Sequence, residues 1–147
     1  MSKSYEKILT KNDTGETGAH QAGILVPKSN KELIHFFPVL DKVTFNPDRW
    51  INCIDDDGEM WQLRYIYYNG KSLTPKRSTR NEYRITHMTK FFSKWNALSG
   101  DSVVFTSTIE ENTFKISIKR AEEPSKVIEN DDGAPPTVVL KGWRAVY

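Results

Sequence analysis

Apolar positions in this chain recur mostly at every second residue, the period of a half-buried strand. Phe114, Ile116 and Ile118 alternate with Lys115, Ser117 and Lys119. Met60–Tyr68 (MWQLRYIYY) is longer and rich in the aromatics that favour strands, and Asn69-Gly70 breaks it as a turn dipeptide should. Trp50–Asp55, Tyr83–Thr86 and Asp101–Thr106 read as further strands, with Thr137–Leu140 and Trp143–Val146 as a closing pair around Lys141-Gly142. Two segments change period. Ser29-Asn30-Lys31-Glu32 has capping-box spacing, Leu33, Phe36, Phe37 and Leu40 follow at helical spacing, and Pro38 ends the helix. In Thr89–Leu98, Phe91, Phe92, Trp95 and Leu98 share one face and Gly100 stops it. Strands with two short helices predict a mainly β fold, a closed or nearly closed barrel. No repeat or internal linker divides the chain, so a single domain spanning 1–147 is expected.

Two connections do not fit a compact barrel. Residues 11–23 (KNDTGETGAHQAG) hold three glycines and no large apolar side chain, so they cannot bury themselves. Lys71–Arg84 (KSLTPKRSTRNEYR) joins two strands, and connections of this length are uncommon unless functional or disordered.

Composition sharpens this picture only in part. The chain has 147 residues, 37% apolar, 27% charged and 12% aromatic, which excludes a disordered chain. Cys53 is the lone cysteine, so no internal disulfide forms. The start has no apolar signal core, and no stretch approaches the roughly 20 apolar residues that span a bilayer. A soluble, cytoplasmic domain with no membrane partner is expected. Net charge is +2, but eight basic residues stand against Glu82 alone between Leu63 and Trp95. Segment 110–132 carries much of the opposing charge. That separation fits a polyanionic partner or a solvated face equally.

The chemistry-bearing residues narrow the choice. Arg80, Glu82 and Arg84 alternate, as on one face of an extended segment. Arginine can grip guanine O6 and N7 with two bonds, and a carboxylate can accept from cytosine N4. A carboxylate repels phosphates, so Glu82 favours base reading over backbone binding. The bland alternative is an exposed strand whose Arg-Glu-Arg set pairs with itself. His20 and Gln21 in the opening loop could offer hydrogen bonds to base edges, or be ordinary surface residues. Asp55-Asp56-Asp57-Gly58-Glu59 lacks calcium-loop spacing and reads as a hairpin turn. Tyr65-Ile66-Tyr67-Tyr68 could stack on single-stranded bases, but at least half should be core. No lysine has Asp or Glu two positions before it, and no His-x-Lys or Gly-x-Ser-x-Gly is present. The chain therefore lacks the usual nuclease and hydrolase signatures, and zinc ligands are wanting.

Two stretches together point to a family. Asn12–Gly23, running on to Pro27, resembles the first DNA-contacting arm of EcoRII-type effector domains, the N-terminal regulatory domains of type IIE restriction endonucleases. Ile66-Tyr67-Tyr68-Asn69 followed by Thr79–Thr86 (TRNEYRIT) resembles the second arm. The resemblance covers roughly Leu9 to Phe105. It implies the seven-stranded open pseudobarrel with two short helices shared with plant B-three transcription-factor domains. It implies a wrench-like grip, with both arms in the major groove of double-stranded DNA. His20 then belongs to the first jaw, and Arg80, Glu82 and Arg84 to the second, as base readers. Lys11, Asp13, Gln21, Asn81 and Tyr83 are weaker carry-overs. Tyr83 stands where a relative has a basic residue, and Lys76 and Arg77 fit phosphates better than bases. The implied site is short and near-palindromic, CCWGG with W as A or T. The domain would bind without cutting and need no cofactor, regulating a covalently attached, Mg²⁺-dependent nuclease domain in the prokaryotic cytoplasm. Three other readings stay open: a small nuclease, a non-catalytic single-stranded nucleic-acid binder, and a protein-interaction barrel.

Overall fold

The computed structural model describes residues 2–16, 23–76, 80–121 and 142–146. Among the described residues the chain forms eight strands and four short helices. In order these are β1 (Ser4–Ile8), α1 (Lys11–Thr14), β2 (Ile24–Val26), α2 (Lys31–Phe36), β3 (Asp48–Ile54) and β4 (Met60–Tyr68). There follow α3 (Gly70–Leu73), β5 (Glu82–Thr86), α4 (Thr89–Lys94), β6 (Ser102–Ser107), β7 (Thr113–Lys119) and β8 (Trp143–Val146). All eight strands lie in one sheet of order β2-β5-β4-β3-β7-β6-β1-β8. Neighbours pair antiparallel except β3 and β7, which run parallel.

The mainly β architecture is as expected, but with eight strands and four short helices among the described residues where seven and two were expected. β1 was hidden because Glu6 and Lys7 are both buried, so its apolar alternation is broken by polar residues. β2 is three residues long, too short for any period to register. The single-turn helices α1 and α3 lie inside the two long connections. The expected strand Thr137–Leu140 lies outside the described residues.

The sheet curls until its two edges, β2 and β8, approach each other. The Trp143 indole on β8 donates to the Leu25 carbonyl on β2 at 2.7 Å. A side chain, not a strand ladder, therefore joins the edges, which makes the structure a pseudobarrel. Trp143 is itself buried, against Phe37 and Phe105.

α2 closes the interior. Its N-cap is Asn30, whose side chain accepts from Leu33 N at 3.1 Å, so the helix starts one residue later than Ser29 would place it. The residue before Pro38 must leave helical geometry, and Phe37 is extended. That turn sets the Phe37 ring 5.1–6.1 Å from the rings of Tyr65, Phe105, Phe114 and Trp143.

α4 ends at Lys94, before Gly100, and Asn96 follows in the left-handed region at φ 48°. Phe91 and Phe92 bury its apolar face. A polar hub fixes the other side. The Asp55 carboxylate accepts from Lys94 Nζ at 2.7 Å and from the indoles of Trp61 and Trp95 at 3.0 and 3.1 Å. The backbone N–H groups of Asp57 and Glu59 also donate to it, closing the hairpin turn in which Gly58 has φ 82°. The acidic cluster is thus a turn, as its sequence implied. Burial alone would raise the Asp55 pKa, but the donors led by Lys94 outweigh it and hold the carboxyl well below the usual range. Among the described residues no helix is long and apolar enough to cross a membrane.

Two outcomes follow. A carboxylate whose pKa is depressed on folding stabilises the fold above its unfolded value, about 4, and that stabilisation is lost as pH falls further. Asp55→Asn should cost about 2–3 kcal/mol at pH 7 and flatten the fall in stability below pH ~4, read by urea denaturation across pH. Trp143→Phe should cost about 2–4 kcal/mol in the same assay, because it opens a cavity and strands the Leu25 carbonyl.

Candidate nucleic-acid interface

The two long connections leave the sheet at opposite ends of one ladder. β2 pairs with β5 through Ile24↔Ile85, Leu25↔Arg84 and Val26↔Tyr83. The first arm, residues 9–23, therefore ends beside Thr86, and the second, residues 69–81, ends beside Val26. Gly23 makes that entry possible: a Cβ there would stand 2.8 Å from the Ile85 carbonyl oxygen. A five-residue strand spans roughly 17 Å, so the described ends of the two connections stand about that far apart along the ladder.

Each arm is rooted by specific bonds. In the first, Thr10 and Asp13 form a capping box around α1, with bonds of 3.0 and 3.2 Å. The same Asp13 carboxylate pairs with Lys7 at 2.5 Å, both side chains being buried. Gly15, at φ 84°, stops the helix. Glu16 then accepts from the Thr14 hydroxyl and Ser99 N–H at 2.6 and 2.8 Å, and these two bonds hold its carboxyl below the usual range. In the second arm, Asn69 caps the end of β4 and clamps residues 42–46. It donates to the Lys42 and Thr44 carbonyls and exchanges backbone–side-chain bonds with Asn46. Lys71 N–H donates to the Arg80 carbonyl at 2.9 Å, pinching the arm shut at its base.

Between the arms, the alternation of β4 and β5 sorts the side chains. Leu63, Tyr65, Tyr67, Tyr83 and Ile85 point to the core. Arg64, Ile66, Tyr68, Glu82 and Arg84 lie on the outer face, where Arg64 stands across from Thr86, Ile66 from Arg84 and Tyr68 from Glu82. Glu82 holds both arginines, Arg80 at 3.2 Å and Arg84 at 3.4 Å. The Arg80 guanidinium also lies 3.6 Å over the Tyr68 ring. Alternation thus brings Arg80, Glu82 and Arg84 together on one accessible face, and they pair with one another there. The two features belong to one arrangement.

The other candidate residues divide. Lys11 and Lys76 are exposed on their arms. His20, Gln21 and Arg77 lie outside the described residues. Asn81 turns inward, its carboxamide oxygen accepting from the Tyr67 hydroxyl. Two expectations need correction. Asp13 is 7% exposed, and its carboxylate is consumed by Lys7 and Thr10, so it builds the arm's root and presents nothing to a ligand. Tyr83 is 4% exposed and stacks on Tyr67 at 4.3 Å, because a residue between Glu82 and Arg84 must face the opposite side. The aromatic run also sorts by parity: Tyr65 and Tyr67 are core, and only Tyr68 faces outward, so no continuous stacking platform forms. Burial pushes the Tyr65 hydroxyl far up from its usual pKa.

Arg64, Trp50 and His87 were not singled out as contacts from sequence, and Tyr68 was named only within a run that could stack on single-stranded bases. For Tyr68 the signal existed, since it shares parity with Arg64 in β4. Trp50 and His87 required the register. Among the described residues, no group of three or more His, Cys, Asp or Glu side chains could hold a metal ion.

Both arm roots fall within residues 2–121, the span matched by the family model described as restriction endonuclease EcoRII, N-terminal. The type II restriction enzyme EcoRII of Escherichia coli is 36% identical over 85 residues, covering 56% of this chain and 20% of that enzyme. The chain thus spans about a fifth of the length of that relative. Among solved structures, the Arabidopsis FUS3–DNA complex matches with a TM-score of 0.59 at 19% identity, over 80% of this chain and 96% of that one. A hypothetical Arabidopsis thaliana protein matches with a TM-score of 0.51 at 12% identity, over 83% of this chain and 94% of that one. At these identities the likeness establishes the fold, a B-three-like pseudobarrel.

Replacing Asp13 should separate root from ligand contact. Asp13→Ala leaves Lys7 buried and unpaired and should cost about 3–5 kcal/mol in urea denaturation, whereas Lys11→Ala should stay within about 0.5 kcal/mol. With its arms, its sheet and its matched span in agreement, the chain belongs to the family of EcoRII restriction endonuclease N-terminal domains.

Proposed function

We propose that this domain binds double-stranded DNA sequence-specifically, with its two arms in the major groove, and acts as the effector of a covalently attached, Mg²⁺-dependent nuclease domain in a prokaryotic cytoplasm. The domain itself binds without cutting and without a cofactor. The observation that carries this reading is the Arg80–Glu82–Arg84 row on the outer face between the two arm roots. In the FUS3 complex a protein of this fold is seen with DNA, and EcoRII is a restriction enzyme.

The energetics favour exchange. Arg80 and Glu82 form an exposed ion pair, worth about 0–1 kcal/mol. A bidentate arginine–guanine contact contributes about 1–3 kcal/mol of discrimination. Arg80 can therefore leave Glu82 for guanine at small cost, and the freed carboxylate can accept from cytosine N4. This chemistry suits the G·C pairs of CCWGG, which we take as the target. Lys11, Lys76, Arg77 and the first-arm residues His20 and Gln21 complete the proposed contact set, the lysines and Arg77 on phosphates.

Titration of the domain against a CCWGG duplex and a scrambled duplex, at two salt concentrations and with and without Mg²⁺, tests the proposal. Selective binding without cleavage is expected. Arg80→Ala should remove about 1–3 kcal/mol of the difference between the duplexes. Equal, steeply salt-dependent binding to both would replace base reading by phosphate binding. A loss shared equally by both duplexes would make Arg80 a phosphate contact.

A further inference from the structure

The half of the outer face nearest the first arm carries two rings that the reading above does not use. Trp50 is 48% exposed although β3 is an interior strand of the sheet. Register sets Trp50 across from Arg64, and Arg64 across from Thr86, the residue that Gly23 approaches. His87 follows with φ 68°, in the left-handed region that residues other than glycine rarely occupy. That conformation holds its exposed ring edge-on to Trp50, 4.9 Å between centroids. Its Nδ1 lies 2.9 Å from the Thr86 hydroxyl. When that hydroxyl donates to Nδ1, the imidazole proton sits on Nε2, on the outer side of the ring. The Trp50 indole N–H has no hydrogen-bond partner among the described residues. Two exposed rings, each carrying an N–H donor, thus stand side by side at the edge of the face that carries Arg64 and Arg84. The Arg64 charge is largely met by Asp48 at 2.6 Å, so this corner offers donors more than net charge.

Donors without acceptors fit a ligand that only accepts. Phosphate oxygens are such acceptors, and contacts to them position a protein on DNA without reading sequence. We infer that Trp50 and His87 form a phosphate contact that seats one DNA strand at the first-arm end of the outer face, opposite the base-reading row. The inference rests on the duplex-binding reading proposed above. It divides the face into a positioning corner at Trp50–His87 and a specifying corner at Arg80–Glu82–Arg84.

Trp50→Phe and His87→Phe keep the rings and remove the donors. Each should weaken binding to the CCWGG and scrambled duplexes alike, by about tenfold, with their ratio and the melting temperature unchanged. Thr86→Val, which frees the His87 tautomer, should weaken both by a smaller factor. Native domain should show DNA-induced quenching of tryptophan fluorescence that Trp50→Phe abolishes, because Trp61, Trp95 and Trp143 are partly or wholly buried. Native affinity in both ring variants would overturn the contact, and so would a loss confined to the CCWGG duplex. If the native domain binds neither duplex, the duplex reading itself fails. If it binds and only the ring variants are unaltered, the phosphate contact alone is wrong.

Discussion

The hydrogen bond from Trp143 to the Leu25 carbonyl is the constraint on which the rest of this molecule depends. β2 is three residues long and pairs on one side only, with β5. An edge strand this short has too few ladder bonds to hold a fixed position, yet it carries the exit of the first arm. Trp143 grips it from the open side, and Phe37, Phe105 and Trp143 pack beneath as one aromatic block. Because β5 is the exit of the second arm, fixing β2 against β5 fixes the separation of the arms. Barrel closure and the spacing of the two arm roots are therefore one problem with one solution.

Polar groups buried in β1 extend that logic to the root of the first arm. Glu6 pairs with Arg144, Lys7 with Asp13, and the Ile8 N–H donates to the Gly142 carbonyl. Buried ion pairs are rarely the cheapest way to stabilise a strand, since apolar residues of the same size often do as well or better. What they supply is geometry, because a mispaired register would leave charges unpartnered. Here both pairs join β1 to short segments, a four-residue helix and a four-residue strand. The start of the first arm is thus held to β1 by the buried, directional Lys7–Asp13 contact.

How much of this was legible in the sequence depended on whether the deciding neighbour lay nearby in the chain. β7 alternates and β4 is rich in strand-favouring aromatics, so both were legible as strands. β1 was not, because Glu6 and Lys7 are satisfied by Arg144 and Asp13 and so interrupt the apolar period. The Arg80–Glu82–Arg84 row was legible because a period of two places those residues on one face whatever else happens. The same rule places Tyr83 on the other face, so its burial was implied by the spacing that made its neighbours candidates. Asp13 was misread for a different reason: a carboxylate in a polar, glycine-rich loop looks available until Lys7 is seen beneath it. Trp50 and His87 could not be paired from sequence, since only the β3–β4–β5 register brings them together. The family resemblance supplied the two arms, but not the Trp143–Leu25 bridge that sets their distance.

Under the proposed duplex-binding reading, the charge economy of the face would favour base reading over general attraction to a polyanion, the net charge being only +2. A strongly basic surface binds any duplex, and its affinity follows phosphate neutralisation and salt. Here Glu82 offsets part of the Arg80 and Arg84 charge, and Asp48 that of Arg64. Each carboxylate lowers attraction to the backbone while holding a guanidinium in a defined place, and Tyr68 steadies Arg80 from the adjacent strand. Weak exposed pairs of this kind cost little to break when a base offers a better-shaped partner, and they penalise a duplex that offers none. In that proposed reading, reduced general affinity and ordered arginines would act in the same direction, raising the ratio between right and wrong sequences.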